Sequence, residues 1–381
     1  MKSIVILANK YPNPFDPTVN VFTQQTAWTF AELGIRTIVI CPMPVNGNKK
    51  YKELPFIETE TSENGFSVDV YRPKYFSLGQ RKGFGRKLRV SVTTKTFTKA
   101  VDSVLQKLEF KPDVLFGEFL CPAGVTAALL GKKYGVDSYF QHGEAIYVGD
   151  EKYGNEKLKK LLSNLTGVVA VSGQNKGFIA DAGIVDEAKI AVFPNGCRKT
   201  RFYKRDKIEA REKLGWDKDK FIVGYCGSFD DRKGILRLEK AVDGMDDVYF
   251  ACAGKGSLMP TSEKCIMAKS IDNAELPWFY SALDAFVFPT YHEGCCTAIV
   301  EAILCGCPIV SSDRSFNYEI CDETNSILVE PDDIKAIQEA VEKIKSDENL
   351  KAELSSGSLK KAEWLNLEAR ITGIAEHMGL N

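Results

Sequence analysis

An apolar run, Ala285–Phe288, stops at Pro289-Thr290 and leads into Tyr291-His292-Glu293-Gly294-Cys295-Cys296-Thr297. Beyond it the apolar spacing turns helical at Ile299, Val300, Ile303 and Leu304. A buried strand, a tight loop and a helix are therefore expected in that order, with Gly294 giving the loop its backbone freedom. A helix start leaves backbone N–H groups unpaired and partly positive, so it holds anions. Two carboxylates bracket the turn, Glu293 and Glu301. A glycosidase pair works at roughly 5–9.5 Å. Eight residues of helix would separate these two by roughly 12 Å. That spacing suits two carboxylates gripping separate hydroxyl-bearing parts of one long ligand, with phosphate at the helix start between them. A nucleotide sugar has this layout. A helix cap beside a solvent-facing Glu is the plainer alternative.

With 381 residues the chain is long enough for two domains. Its formal net charge of −1 gives no nucleic-acid signature. No apolar stretch reaches transmembrane length, and Met1 to Ala8 reads as a first strand rather than a secretory signal. The 11 cysteines lack zinc-type spacing, so reduced packing thiols in a cytosolic protein are expected and no metal site is assigned. Only three histidines exist, His142, His292 and His377, which limits any imidazole mechanism.

In chain order, a strand at Ser3–Leu7 feeds a loop rich in Pro and Asn over 9–20, a site type found at the carboxyl ends of open α/β sheets. A helix over 22–33 ends at Gly34. Residues 44–66 read as polar and irregular, and 68–71 as a strand. The stretch 72–89 has no acidic residue and interleaves cations with Tyr75, Phe76 and Phe84. An anionic surface, such as a membrane leaflet or phosphate-bearing acceptor, and a solvated charged loop are equal readings of it. A strand over 138–141 delivers His142 to a carboxyl-end crevice. Ser172 reads as a helix cap, Pro194-Asn195-Gly196 as a turn, and 197–206 as a linker.

The strand–helix alternation then restarts. Phe221–Cys226 reads as a strand, followed by Gly227-Ser228-Phe229-Asp230-Asp231-Arg232-Lys233-Gly234 and a helix over 236–242. A glycine opens that loop and cations close it, a cradle for a diphosphate that has neither P-loop nor Gly-x-Gly-x-x-Gly spacing. Gly254-Lys255-Gly256 follows the next strand. Asp217-Lys218-Asp219 spells a metal-type Asp-x-Asp, but it precedes a strand and reads as a surface turn. The plan is two doubly wound Rossmann-like α/β domains facing across a cleft.

Glu293 and Glu301 with seven residues between them, continuing through Glu301-Ala302 and Cys305-Gly306-Cys307-Pro308, resemble the retaining glycosyltransferases of family 4, of GT-B architecture. Weaker matches follow in the family's order: Tyr11-Pro12, Lys111-Pro112-Asp113, His142-Gly143, Val171-Ser172, Pro194-Asn195-Gly196, Lys233-Gly234, Gly254-Lys255-Gly256 and Pro289. The resemblance implies an acceptor-side domain at 1–197 and a nucleotide-sugar domain at 206–364, with a final helix over 365–381 packing back on the first. It implies retaining, metal-independent sugar transfer from a nucleotide diphosphate sugar, a UDP-sugar in this reading, without further cofactor. Glu293 and the amides of Gly294, Cys295, Cys296 and Thr297 would hold donor sugar and diphosphate, and Glu301 the ribose hydroxyls. Lys233 would neutralise the leaving diphosphate, and His142 would contact the donor sugar. Gly227, Ser228, Arg232 and Gly254 complete the expected donor site. Ser228 stands where the family usually has Arg, with Arg232 as the compensating cation. Val19-Asn20 replaces a glycine pair, with the Asn20 amide as substitute. The implied acceptor is a saccharide or lipid-linked saccharide of surface polysaccharide assembly, and the implied location is cytoplasmic, peripheral at the inner membrane face through 72–89. A nucleotide-sugar epimerase of the same architecture and a non-catalytic binder are the alternatives.

Overall fold

The computed structural model describes residues 1–79 and 82–381; Arg81 of the basic stretch lies outside the described residues. The chain divides into two compact units, Met1–Phe193 with Ile371–Asn381, and Pro194–Arg370.

The first unit is built on an eight-stranded sheet. Its strands are β1 (Ser3–Leu7), β2 (Arg36–Ile40), β4 (Ile57–Thr61), β5 (Ser67–Tyr71), β7 (Val114–Glu118), β8 (Asp137–His142), β9 (Gly167–Ala170) and β10 (Ile190–Val192). A separate short pair joins β3 (Met43–Pro44) to β6 (Lys74–Tyr75). The sheet order is β10-β9-β8-β7-β1-β2-β5-β4, parallel throughout except for the β4–β5 edge. Every residue of β1 and β7 is buried, as strands covered by helices on both faces must be. One face packs Val5, Leu7, Ile38 and Leu115 against Phe97, Val101 and Val104 of the helix Arg86–Leu105. Further along, the same face packs Phe140 and Val168 with Leu158 and Ile179. Ring contacts join His377 of the last helix, Leu367–His377, to Tyr139 and Phe193.

Three expectations need correction here. Residues 44–66 are not irregular throughout, because β4 forms the antiparallel sheet edge. Its Glu58 and Glu60 disguise it as a polar loop, and their carboxylates take up Arg72 at 2.7 and 3.9 Å. Arg72 is consequently one of the largest fully buried side chains and belongs to the fold, not to an anion-facing surface. The long helix begins at Arg86, inside the basic stretch, where Gly85 supplies the left-handed turn before it. Phe84 and Leu88 there remain exposed beside Lys82 and Lys87.

The second unit carries a fully parallel six-stranded sheet: β11 (Phe221–Cys226), β12 (Val248–Ala253), β13 (Cys265–Lys269), β14 (Ala285–Phe288), β15 (Ile309–Ser312) and β16 (Ser326–Val329). Its order is β13-β12-β11-β14-β15-β16. Strand order reverses between β11 and β14, and open α/β sheets bind ligands at such a point. Residues 197–206 are not a free linker. Cys197, Arg198 and Phe202 are buried, and Cys197 bridges to Asn366 within this unit. Asp217 accepts from the backbone N–H of Asp219 at 2.9 Å in an exposed turn ahead of β11, as the sequence implied.

A buried ion pair fixes the start of this sheet. Arg211 donates to Asp284 at 2.7 Å and to the carbonyls of Lys218, Lys220 and Ala282. Asp284 also accepts from the N–H of Ile222 at 2.8 Å, tying β11 to the chain entering β14. Removing one partner of a buried pair strands the other. Arg211→Met is therefore expected to cost about 3 kcal/mol in urea unfolding, with the unfolding slope unchanged.

Candidate functional site

Two loops meet at the reversal point. After β11 the chain runs through Gly227 to Gly234 and enters the helix Ile235–Asp243. After β14 it runs through Pro289 to Cys296 and enters the helix Thr297–Leu304. Gly234 has φ +83°, and a Cβ on it would lie 2.2 Å from the Pro289 carbonyl oxygen. Only glycine lets the two loops approach this closely. Gly254, at φ +153°, is equally tight: its Cβ would sit 1.9 Å from the Gly227 oxygen. The turn-side glycine proposed from the sequence, Gly294, is not among the residues with positive φ.

Glu293 lies in the second loop and both loop cations reach it. Lys233 Nζ is 2.7 Å and Arg232 Nη1 2.8 Å from Glu293 Oε1. Thr290 Oγ1 adds a contact at 3.3 Å. Arg232 also donates to the His292 carbonyl at 2.6 Å, which fixes the loop. The cations of Lys233 and Arg232 are thus balanced by the carboxylates of Glu293 and Asp230. Asp230 shapes the first loop: it accepts from Ser228 Oγ at 2.6 Å and from the Lys233 N–H at 2.9 Å. Burial works against its charge, but these bonds and the two cations hold its carboxyl below the ordinary range. Ser228 is thus committed to Asp230, and Gly227 donates its N–H to Ala253.

The turn before the second helix is different. Among the described residues, none accepts a hydrogen bond from the backbone N–H groups of 294–298. Cys295 and Cys296 turn their thiols inward, where burial pushes the Cys295 thiol up to about 12. Their expected contribution is confined to backbone amides. Asn195 holds this turn from the Pro-Asn-Gly segment: its Nδ2 donates to the Cys295 carbonyl at 3.0 Å and its N–H to Cys295 Sγ at 3.3 Å. In the sequence Asn195 reads only as turn chemistry, because a pairing across 100 residues has no local signal.

Glu301 sits on the same helix and is partly buried. Tyr280 Oη donates to its Oε2 at 2.8 Å. Burial pushes the carboxyl up to about 7, with Tyr280 and Arg201 opposing.

The remaining expected residues lie in the first unit. Asn20 has φ +46° before the helix Val21–Glu32, the left-handed conformation that a glycine would take there, and its side chain caps nothing. His142 ends β8 but is buried at 1% side-chain exposure rather than lying open in a crevice. Its ring lies between those of Phe140 and Phe178, with Nδ1 2.5 Å from Glu144 Oε2. Burial opposes the Glu144 charge, yet His142 and Lys152 hold that carboxyl below its usual range. Ser172 caps its helix as read, accepting from the Asn175 N–H. Among the described residues no group of three or more His, Cys, Asp or Glu is placed to hold a metal ion, and no helix is long and apolar enough to cross a membrane.

Residues 206–361, most of the second unit, match the family described as glycosyl transferases group 1. A Bacillus subtilis protein assigned to teichuronic acid biosynthesis as a glycosyltransferase, TuaC, is 24% identical over 367 residues, covering 92% of this chain and 91% of TuaC. The Escherichia coli UDP-Gal:alpha-D-GlcNAc-diphosphoundecaprenol alpha-1,3-galactosyltransferase is 26% identical, over 55% of this chain and 59% of that enzyme. Among solved structures, sucrose-phosphate synthase from Thermosynechococcus elongatus superposes with a TM-score of 0.75 at 19% identity, covering 99% of this chain and 98% of that one. The fold is that of GT-B glycosyltransferases. Together the matches support a GT-B glycosyltransferase.

Gly254→Ala tests the loop contact. It is expected to lower stability by about 2 kcal/mol, because the strained φ adds to a backbone clash. Urea unfolding measures this, and a loss below roughly 0.5 kcal/mol would mean that the loops part without cost.

Proposed function

We propose that the chain transfers a sugar, with retained anomeric configuration and without a metal, from a UDP-sugar to a saccharide or lipid-linked saccharide acceptor in surface polysaccharide assembly. The observation that carries this reading is the set of unbonded amides at 294–298 beside the Lys233–Glu293–Arg232 cluster, at the reversal point of the sheet. A diphosphate fits there: amides and helix start on one side, cations on the other. The names of the Bacillus subtilis and Escherichia coli relatives support the polysaccharide setting, and the latter name supports a UDP-sugar and a lipid-linked acceptor.

In the proposed reaction the bond between the anomeric carbon and the diphosphate oxygen breaks. An acceptor hydroxyl oxygen bonds to the same face, and its proton passes to the leaving diphosphate. Charge develops on the leaving group, so its stabilisation is the enzyme's main task. Lys233 turns from Glu293 to a diphosphate oxygen, and Arg232 keeps Glu293 in place against the donor sugar. The amides of Gly294, Cys295, Cys296 and Thr297 take further phosphate oxygens, and Glu301 the ribose hydroxyls. Gly227 and Gly254 keep the backbone close to the ligand. Asn20 serves as a loop amide near the reacting groups. The second unit is the nucleotide-sugar unit and the first the acceptor-side unit.

Glu293→Gln and Lys233→Ala are each expected to reduce transfer at least tenfold, about 1.4 kcal/mol in the barrier. A donor panel with product analysis by NMR measures this and reports the anomeric configuration directly. An inverted product refutes retention, and donor consumed to a new sugar nucleotide without acceptor selects the epimerase instead.

The exposed Phe84 and Leu88 beside Lys82 and Lys87 support docking at the anionic inner face of a membrane from the cytoplasm. Co-sedimentation with liposomes containing about one-third anionic lipid is expected to fall steeply with salt. Equal recovery with neutral liposomes would remove this part.

A further inference from the structure

We infer that Tyr280 is a positioning residue for the donor site: its hydroxyl fixes Glu301 and holds it in the charged form that a ribose diol needs. The inference rests on the reading of Glu301 as the ribose-binding carboxylate. Tyr280 belongs to the short helix Leu276–Ser281, and its side chain is fully buried. Its ring contacts those of Phe202, Phe279 and Phe286, so the hydroxyl has little freedom to move. The hydroxyl donates to Glu301 Oε2 at 2.8 Å and also meets the Cys226 thiol at the end of β11.

A diol offers two O–H donors, and a carboxylate accepts both where a carboxylic acid accepts poorly. Glu301 must therefore be ionised to hold ribose well, yet it lies where burial disfavours its charge. The titratable and charged groups that face it are few. Cys197 and Cys305 are buried thiols and Cys226 a partly buried one, all raised by desolvation and neutral near pH 7. Arg201 is the cation that helps, from a distance. Tyr280 is the direct hydrogen-bond donor to this carboxylate, and it stays protonated because burial raises its own pKa well above the ordinary value.

The sign follows. Glu301 titrates near neutrality, so donor affinity should fall as pH drops through about 7. Without the Tyr280 hydroxyl the carboxyl moves higher still, and the fall begins at higher pH.

Tyr280→Phe keeps the ring and removes only the hydroxyl. Its donor KM, relative to wild type, is expected to rise about fivefold at pH 6.5 and to converge to about twofold at pH 8.5, with kcat within about twofold throughout. A ratio that is flat with pH, or a change confined to kcat, overturns the inference. A second measurement needs no variant. Calorimetry of UDP binding to wild type at pH 6.5, in buffers of different ionisation enthalpy, is expected to show proton release that vanishes at pH 8.5; no release at pH 6.5 counts against it. Glu301→Gln separates the two levels. If it leaves UDP binding unchanged, the reading of Glu301 itself fails. If it weakens binding while Tyr280→Phe does not, only the role of Tyr280 fails.

Discussion

Lys233 and Arg232 close on one oxygen of Glu293, and the local order of the candidate site depends on that contact. It joins the loop after β11 to the loop after β14, the neighbouring strands where the sheet reverses. Each partner is half-exposed or less, so the attraction works in a medium less screening than bulk water. The same contact holds the Lys233 and Arg232 side chains close to a turn whose amides have no partner among the described residues. An anion arriving there competes for a lysine that is already in place, and little rearrangement is required of the site.

Close backbone approach makes the contact geometrically attainable. Gly234 leaves room for the Pro289 carbonyl, Gly254 for that of Gly227, and Gly256 for that of Phe229, where a Cβ would lie 2.2 Å from the oxygen. Arg237 then donates to the Pro289 carbonyl at 2.9 Å, so the crowded oxygen is satisfied rather than orphaned. The Asn195 side chain does the same from the opposite end for Cys295. The turn is held by bonds to its carbonyls, and among the described residues its N–H groups have no acceptor.

The parts of this arrangement that were legible in the sequence are those with a local physical cause. Ala285–Phe288 is a short run of large apolar residues, and such runs become buried parallel strands. Gly34 and Ser172 mark a helix end and a helix start through backbone and capping chemistry that needs no distant partner. What could not be read depends on tertiary partners. Arg72 looks like surface charge until Glu58 and Glu60 of an edge strand close around it. His142 looks like a crevice residue until Phe140 and Phe178 enclose its ring. Residues 197–206 look like a connector because their apolar members are few and irregularly spaced, yet Phe202 finds the Tyr280 ring. Asn195 and Tyr280 carry no local signal for Cys295 and Glu301.

Glu293 and Glu301 differ by environment, which bears on what each can do. Glu293 has two cations on a single oxygen, so its charge is compensated within the protein and it is poorly suited to attack an electrophilic carbon. Orientation and electrostatics are the tasks left to it. Glu301 has a neutral donor in Tyr280, and burial raises its carboxyl to about 7. A carboxylate so placed gains more from two incoming hydroxyl donors than one already satisfied. The two cations on Glu293, in contrast, hold the loop after β14 against the loop after β11. Seven residues of turn and helix suffice to keep the environments of the two carboxylates apart.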